Sequence, residues 1–181
     1  MLHLKNITAG NPKTAEQYQM TKQHGITWLF SEDDKNWYEE LKNFASDTIK
    51  MVYTGDGRVV WVGKDVTGIE PRNASVIEVP DITANRRITV PGYWFYRDDK
   101  FVFDYKLKAE DERDALLKQV SIMTSEWEKD LLLGLISDED REKLKAYRIY
   151  AKSLQAMDFN IITDKTSYNA IEWPVYPEAS S

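Results

Sequence analysis

The spacing of apolar residues changes period part-way along the chain, and this change limits what each half can become. From about residue 109 onward, Leu116, Val120, Met123, Trp127 and Leu131 recur at intervals of four, three, four and four. Side chains so spaced share one face of a helix that turns every ~3.6 residues, and the stripe predicts a helix of about six turns. Gly134 ends it. Ser137, followed by Asp138, Glu139 and Asp140, supplies a cap and the acidic first turn that a helix dipole favours. Leu144, Tyr147, Ala151, Leu154 and Met157 then form the facing stripe of a second helix. The two predict a helical hairpin with a connection of about three or four residues.

Upstream the period is two. Thr48–Tyr53 and Arg58–Val62 flank Thr54-Gly55-Asp56-Gly57, where Asp-Gly tolerates the positive φ of a hairpin turn. A second hairpin is read from Tyr93–Arg97, a turn at Asp98-Asp99-Lys100, and Phe101–Tyr105, with aromatics on both faces. Between the hairpins, residues 63–92 are punctuated by glycine and proline around one short strand, Ser75–Val79.

At the start of the chain, His3–Thr8 alternates apolar and polar residues and then meets Gly10, Asn11 and Pro12, as a short extended piece does. Thr14–Gln23 reads as a short helix capped by Thr14 and stopped by Gly25, and Ile26–Phe30 as a strand. Ser31-Glu32-Asp33-Asp34 offers turn and cap chemistry before a helix carrying Trp37, Leu41, Phe44 and Ala45 on one face. The fold class expected is therefore α+β. Residues 1–80 form a small mixed part with β-hairpins, and residues 81–181 hold a β-hairpin, the helical hairpin and an extended tail. Residues 160–169 read as a loop, and Trp173 and Tyr176 in the proline-fixed tail need a surface to pack on.

Charge and composition narrow the function. The net charge of −6 argues against a nucleic-acid partner, because phosphate contacts need Lys and Arg concentrated on one face. Zero cysteines exclude disulfides and thiolate sites, and suit a reducing cytoplasm without demanding it. The N-terminus carries no basic region followed by an apolar stretch, and no window approaches the roughly 18 apolar residues of a spanning helix, so neither export nor a membrane is expected.

Catalytic and metal sites find no support. His3 and His24 lie in no metal-ligand spacing, and there is no Gly-rich phosphate loop or nucleophile elbow. The acidic runs Glu32-Asp33-Asp34, Glu110-Asp111-Glu112 and Asp138-Glu139-Asp140 each precede or open an expected helix, where carboxylates favour the dipole, and none has calcium-loop spacing. Aromatic clustering is what remains. Trp28, Phe30, Trp37 and Tyr38 lie within eleven residues, more than one element can readily turn inward. As a set they suggest a patch awaiting a partner, since Trp and Tyr are the usual interface anchors, although any one of them alone reads first as core.

These residues also carry a resemblance. His3–Ile7, Ala9–Thr14, Glu16-Gln17-Tyr18, Trp28-Leu29, Ser31-Glu32-Asp33 and Asn36–Glu40 resemble tail-fibre assembly proteins of Mu-like and lambda-like phages and prophages. So do Trp127, Leu131–Gly134, Ile136-Ser137-Asp138, Leu144, Tyr147, Tyr150, Leu154 and Trp173-Pro174. One departure is Ala146–Ala151, where the family pattern leads one to expect a Trp. The resemblance implies a non-enzymatic chaperone in the host-cell cytoplasm that binds the C-terminal, receptor-binding region of a trimeric tail fibre and promotes its trimerisation, remaining on the virion in some phages. It implies no cofactor, metal, catalytic residue or small-molecule substrate. Trp28, Phe30, Trp37 and Tyr38 are then the expected fibre contacts. The alternative is a permanent fibre-tip component that helps touch the host receptor. A hydrolase would need two carboxylates about 5–10 Å apart in a cleft.

Overall fold

The period-two segments become strands of one antiparallel sheet. In the computed structural model, which describes residues 1–177, β1 (His3–Gly10), β2 (Trp28–Phe30), β3 (Ile49–Thr54), β4 (Val59–Gly63) and β5 (Ala74–Val79) lie in the order β2-β1-β5-β3-β4. β3 and β4 are the first expected hairpin. β5 pairs with all of β3, from Ile49↔Val79 to Thr54↔Ala74, and takes β1 on its other side. Because side chains alternate along a strand, Ile49, Met51 and Tyr53 enter one apolar cluster and Val52 the other. Both faces of β3 are covered, so Ile49–Tyr53 are all buried, the charged Lys50 included.

One face is covered by Trp37, Leu41, Phe44, Val66 and Ile69. The helix expected through residues 37–45 is shorter than its pattern suggested: α2 (Trp37–Glu40) passes into a 3₁₀ turn at Leu41–Asn43. Its cap is the Asn36 carboxamide, which accepts from the Tyr38 amide at 2.9 Å. The acidic run before it caps nothing. Ser31–Lys35 closes a turn on itself, with Ser31 Oγ accepting from the Lys35 amide at 3.1 Å and Asp34 at φ 67°. α1 (Ala15–His24) follows the expected signals, with Thr14 accepting from the Gln17 amide and Gly25 left-handed.

The other face is covered by β6 (Trp94–Arg97) and β7 (Lys100–Phe103), which follow the one-turn helix α3 (Thr83–Arg86). Trp94 stands opposite Phe103 and Tyr96 opposite Phe101 on one side of this hairpin, and Phe95 opposite Val102 on the other. Asp98 and Asp99 both take positive φ, 49° and 58°, as a two-residue hairpin loop requires. Trp94, Tyr96 and Phe101 pack on the sheet, and the Tyr96 amide donates to the Gly57 carbonyl at 2.7 Å. The boundary expected at residue 80 therefore falls elsewhere, and the compact units are Met1–Phe103 and the chain from Asp104 onward. A two-stranded hairpin is marginal in water alone and takes its stability from the sheet it covers.

Gly57 is the hinge of that contact, at φ 91° with the Tyr96 carbonyl oxygen 2.5 Å from where a Cβ would stand. Gly57→Ala is expected to cost about 1–3 kcal/mol from the strained backbone alone. A drop in the urea midpoint of the first unit is the readout, and an unchanged midpoint would show that the hairpin is not held there.

The second unit is the helical hairpin. α4 (Tyr105–Leu133) begins four residues earlier than the stripe indicated, because Asp104 accepts from the Leu107 amide at 2.9 Å and caps it. Glu110-Asp111-Glu112 consequently lies inside the helix and not at its start. α5 (Asp138–Gln155) opens on Ser137 as expected, and Gly134–Ser137 is the connection. Val120 packs against Tyr147, Tyr150, Ala151 and Leu154. The segment read as a loop at 160–169 contains α6 (Lys165–Asn169), opened by a capping box between Asp164 and Ser167. The tail finds its surface on the helices: the Tyr176 ring lies 5.7 Å from Tyr147 and 5.3 Å from Tyr150. Residues 178–181 of the expected C-terminal part lie outside the described residues. No described helix is long and apolar enough to cross a membrane.

Candidate functional site

In the first unit α1, β2, α2 and the loop near residue 71 surround an open, mostly apolar groove of about 480 Å³. Met20 of α1, Ile26 and Thr27 before β2, Trp28 of β2, Tyr38 of α2, and the loop residues Glu70 and Arg72 line it. Trp28 is fixed from behind. Its indole N–H donates to Thr21 Oγ1 at 2.8 Å and to the Gln17 carbonyl at 3.2 Å, so α1 sets the angle at which the ring meets the groove. Tyr38 stands edge-on to it at 5.8 Å and 84°, and its hydroxyl donates to the Thr27 carbonyl at 3.1 Å. Burial pushes the Tyr38 hydroxyl above its ordinary value and the Glu70 carboxylate adds to this, with Arg72 opposing. Glu70 and Arg72 pair at 2.5 Å, leaving the polar rim nearly neutral.

The four aromatic residues singled out in the sequence do not form one exposed patch. Tyr38 is 40% exposed, whereas Trp28 and Phe30 are each 6% exposed and Trp37 only 1%. Successive residues of a helix point about 100° apart, so Trp37 and Tyr38 cannot both face outward. Trp37 enters the core against Phe44, with ring centres 5.9 Å apart. Trp28 and Phe30 share a face of β2 while Leu29 takes the opposite one, fully buried. Phe30 is sealed against Gly10 and beneath the Lys13 ammonium, 4.1 Å above its ring. The groove thus takes an edge of Trp28 and the flank of Tyr38, and Phe30 and Trp37 are not part of its lining. Met20, Ile26, Glu70 and Arg72 were not legible from spacing, since the groove forms only where the loop between β4 and β5 meets α1, β2 and α2.

What the arrangement offers is a hydrophobic seat with one ion pair and a phenol on its rim, suited to an apolar side chain of a protein partner. Among the described residues no three His, Asp or Glu side chains converge as a metal site.

Residues 39–178 match the family model described as Caudovirales tail fibre assembly protein, lambda gpK. The chain is 47% identical to the tail fiber assembly protein U' of Escherichia phage Mu over 184 aligned residues, covering 98% of this chain and all of that protein. With the U' protein of Escherichia phage P1 the identity is 45%, over the same shares of both chains. With a probable tail fiber assembly protein of Escherichia phage P2 it is 39%, again over 98% of this chain and all of the relative.

Proposed function

The chain belongs to the Caudovirales tail fibre assembly protein family, and from that premise we propose that it is a chaperone, without catalytic activity, that binds the C-terminal region of a trimeric tail fibre and promotes its trimerisation. The observation that carries this reading is the apolar groove edged by Trp28 and Tyr38 in the first unit. A chain that must pair strands with two others exposes apolar surface and open edges before it closes, and such intermediates aggregate. A seat for one apolar anchor of the fibre shields that surface and is vacated or kept as the trimer forms. Work of this kind suits the host cytoplasm, where the fibre is made.

Co-expression with the fibre encoded beside it tests the reading. Soluble trimer that migrates intact in SDS is expected only when this protein is present. Met20 and Tyr38 are exposed enough for Met20→Glu and Tyr38→Glu to leave the fold intact. Together they should lower trimer yield roughly tenfold or more, as loss of one interface anchor does. Equal trimer yield without the protein would reject the chaperone role and favour a permanent component of the fibre tip.

A further inference from the structure

We propose that the pocket between β5, α3 and the β6–β7 hairpin binds an acidic sugar, a pyranose ring that carries a carboxylate. The pocket holds about 310 Å³, at the lower end of the range that small ligands occupy. What lines it sets it apart from the apolar groove of the same unit. Trp94 and Tyr96 come from one side of β6, Asn85 and Arg87 from α3 and its C-terminal cap, and Asp99 and Lys100 from the hairpin turn and the start of β7.

The aromatic wall is fixed before any ligand arrives. The Tyr96 ring lies 4.8 Å from Tyr53, 5.5 Å from His3 and 5.0 Å from Phe101, and the Trp94 ring lies 5.2 Å from Phe103. Rings held in this way offer a flat apolar surface to the C–H face of a sugar at little entropic cost. The hydroxyls around that sugar need donors and acceptors. Asp99 accepts from the Tyr96 hydroxyl at 3.1 Å and keeps lone pairs for more, and the Asn85 carboxamide is anchored by donating to the Pro80 carbonyl at 2.9 Å. Burial pushes the Tyr96 hydroxyl up to about 12, with Asp99 adding to this, so it stays protonated at neutral pH.

Charge selects the acid. Arg87 and Lys100 face one carboxylate, Asp99, so the pocket is positive in a chain whose net charge is −6. A cationic ligand, which aromatic walls otherwise suit, would meet the Arg87 guanidinium 5.9 Å over the Trp94 ring. A carboxylate would instead accept charge-assisted bonds from that guanidinium and from the Lys100 ammonium. Because Asp99 is the one carboxylate lining the pocket among the described residues, a bound sugar is held and not cleaved, since hydrolysis needs two.

Titration of the isotope-labelled full chain with glucuronic acid at neutral pH tests the proposal, read by NMR at the indole N–H of Trp94, which Trp94→Phe assigns. A saturable shift of that signal at millimolar concentration is expected. Glucose supplies the ring without the charge and inorganic phosphate the charge without the ring, and each should bind about tenfold more weakly or worse. Arg87→Gln with Lys100→Gln, at exposed positions, should weaken glucuronic acid roughly tenfold while leaving the rest of the spectrum in place. No saturable shift, equal binding of glucose or phosphate, or full affinity in the double variant would each overturn the proposal. No fibre enters the measurement, so failure here leaves the chaperone reading standing.

Discussion

Replacing Trp37 with alanine should cost the first unit about 3–5 kcal/mol, whereas replacing Tyr38, its neighbour in sequence, should cost less than about 1 kcal/mol. Trp37 is 1% exposed and packs with Leu4, Ile7, Leu29, Val52 and Val76, so its loss opens a cavity against two strands and β2 that cannot collapse freely. Tyr38 leaves one hydroxyl contact, to Thr27, and the flank of Trp28. Urea unfolding combined with amide exchange in β1 and β5 separates the two. Function should sort the other way, with Tyr38→Ala lowering fibre-trimer yield while the fold persists. Similar stability losses for both variants would mean that α2 tolerates rotation and that neither ring is committed to core or groove.

Glu78 is the second site of large expected effect. It stands opposite Lys50 across β5 and β3, both nearly inaccessible, at 5% and 1% exposed. Its carboxylate accepts from the Ala45 amide at 2.7 Å, the Thr48 hydroxyl at 2.7 Å and the Leu2 amide at 3.0 Å. Lys50 donates to the carbonyls of Ala45 and Thr48. The arrangement ties the N-terminus and the turn before β3 to the sheet, and satisfies two charges that would otherwise be costly to bury. Glu78→Ala should cost about 3–5 kcal/mol, because it strands the Lys50 ammonium and three donors in the interior. Glu78→Gln, which keeps shape and some acceptors, should cost about 1–3 kcal/mol.

A pH dependence accompanies that loss. Burial pushes the Glu78 carboxyl up, but the hydrogen bonds from Thr48, Leu2 and Ala45 and the charge of Lys50 outweigh it and hold it below the ordinary glutamate value of 4.5. A folded-state value lower than the unfolded one means that the ionised group stabilises the fold above the unfolded value, and that this contribution drains away as pH falls through the folded value. The stability gap between the parent chain and Glu78→Gln should therefore be full at neutral pH and close in acid. A gap that stays constant down to acid pH would show that hydrogen-bond geometry, and not ionisation, sets the value of the site.

Much of the fold was legible because its signals are local. Thr14 and Gly25 bound α1, Ser137 opens α5, and the Asp98-Asp99 loop closes its hairpin, each through a few neighbouring backbone groups. Two of the three acidic runs misled for the same reason, whereas Asp138-Glu139-Asp140 opens α5 as expected. Glu32-Asp33-Asp34 has the composition of a cap, but Ser31 had already claimed the local amides in a turn, and the cap passed to Asn36. Asp104 likewise took the start of α4 ahead of Glu110.

The sequence by itself determined the class of the longer elements, though not of the short helices α3 and α6, together with the α+β composition and the resemblance that led to the family, because period, caps and turns are properties of short stretches. Only the tertiary structure decided that the second hairpin belongs with the sheet, and that Trp37 is core while Tyr38 rims a groove. Composition marks Trp37 and Tyr38 alike, and which of them meets the sheet depends on where α2 lands across chain contacts dozens of residues apart. Burial is decided there, by the one orientation that fills the space between β1, β5 and β3 without leaving polar backbone unpaired.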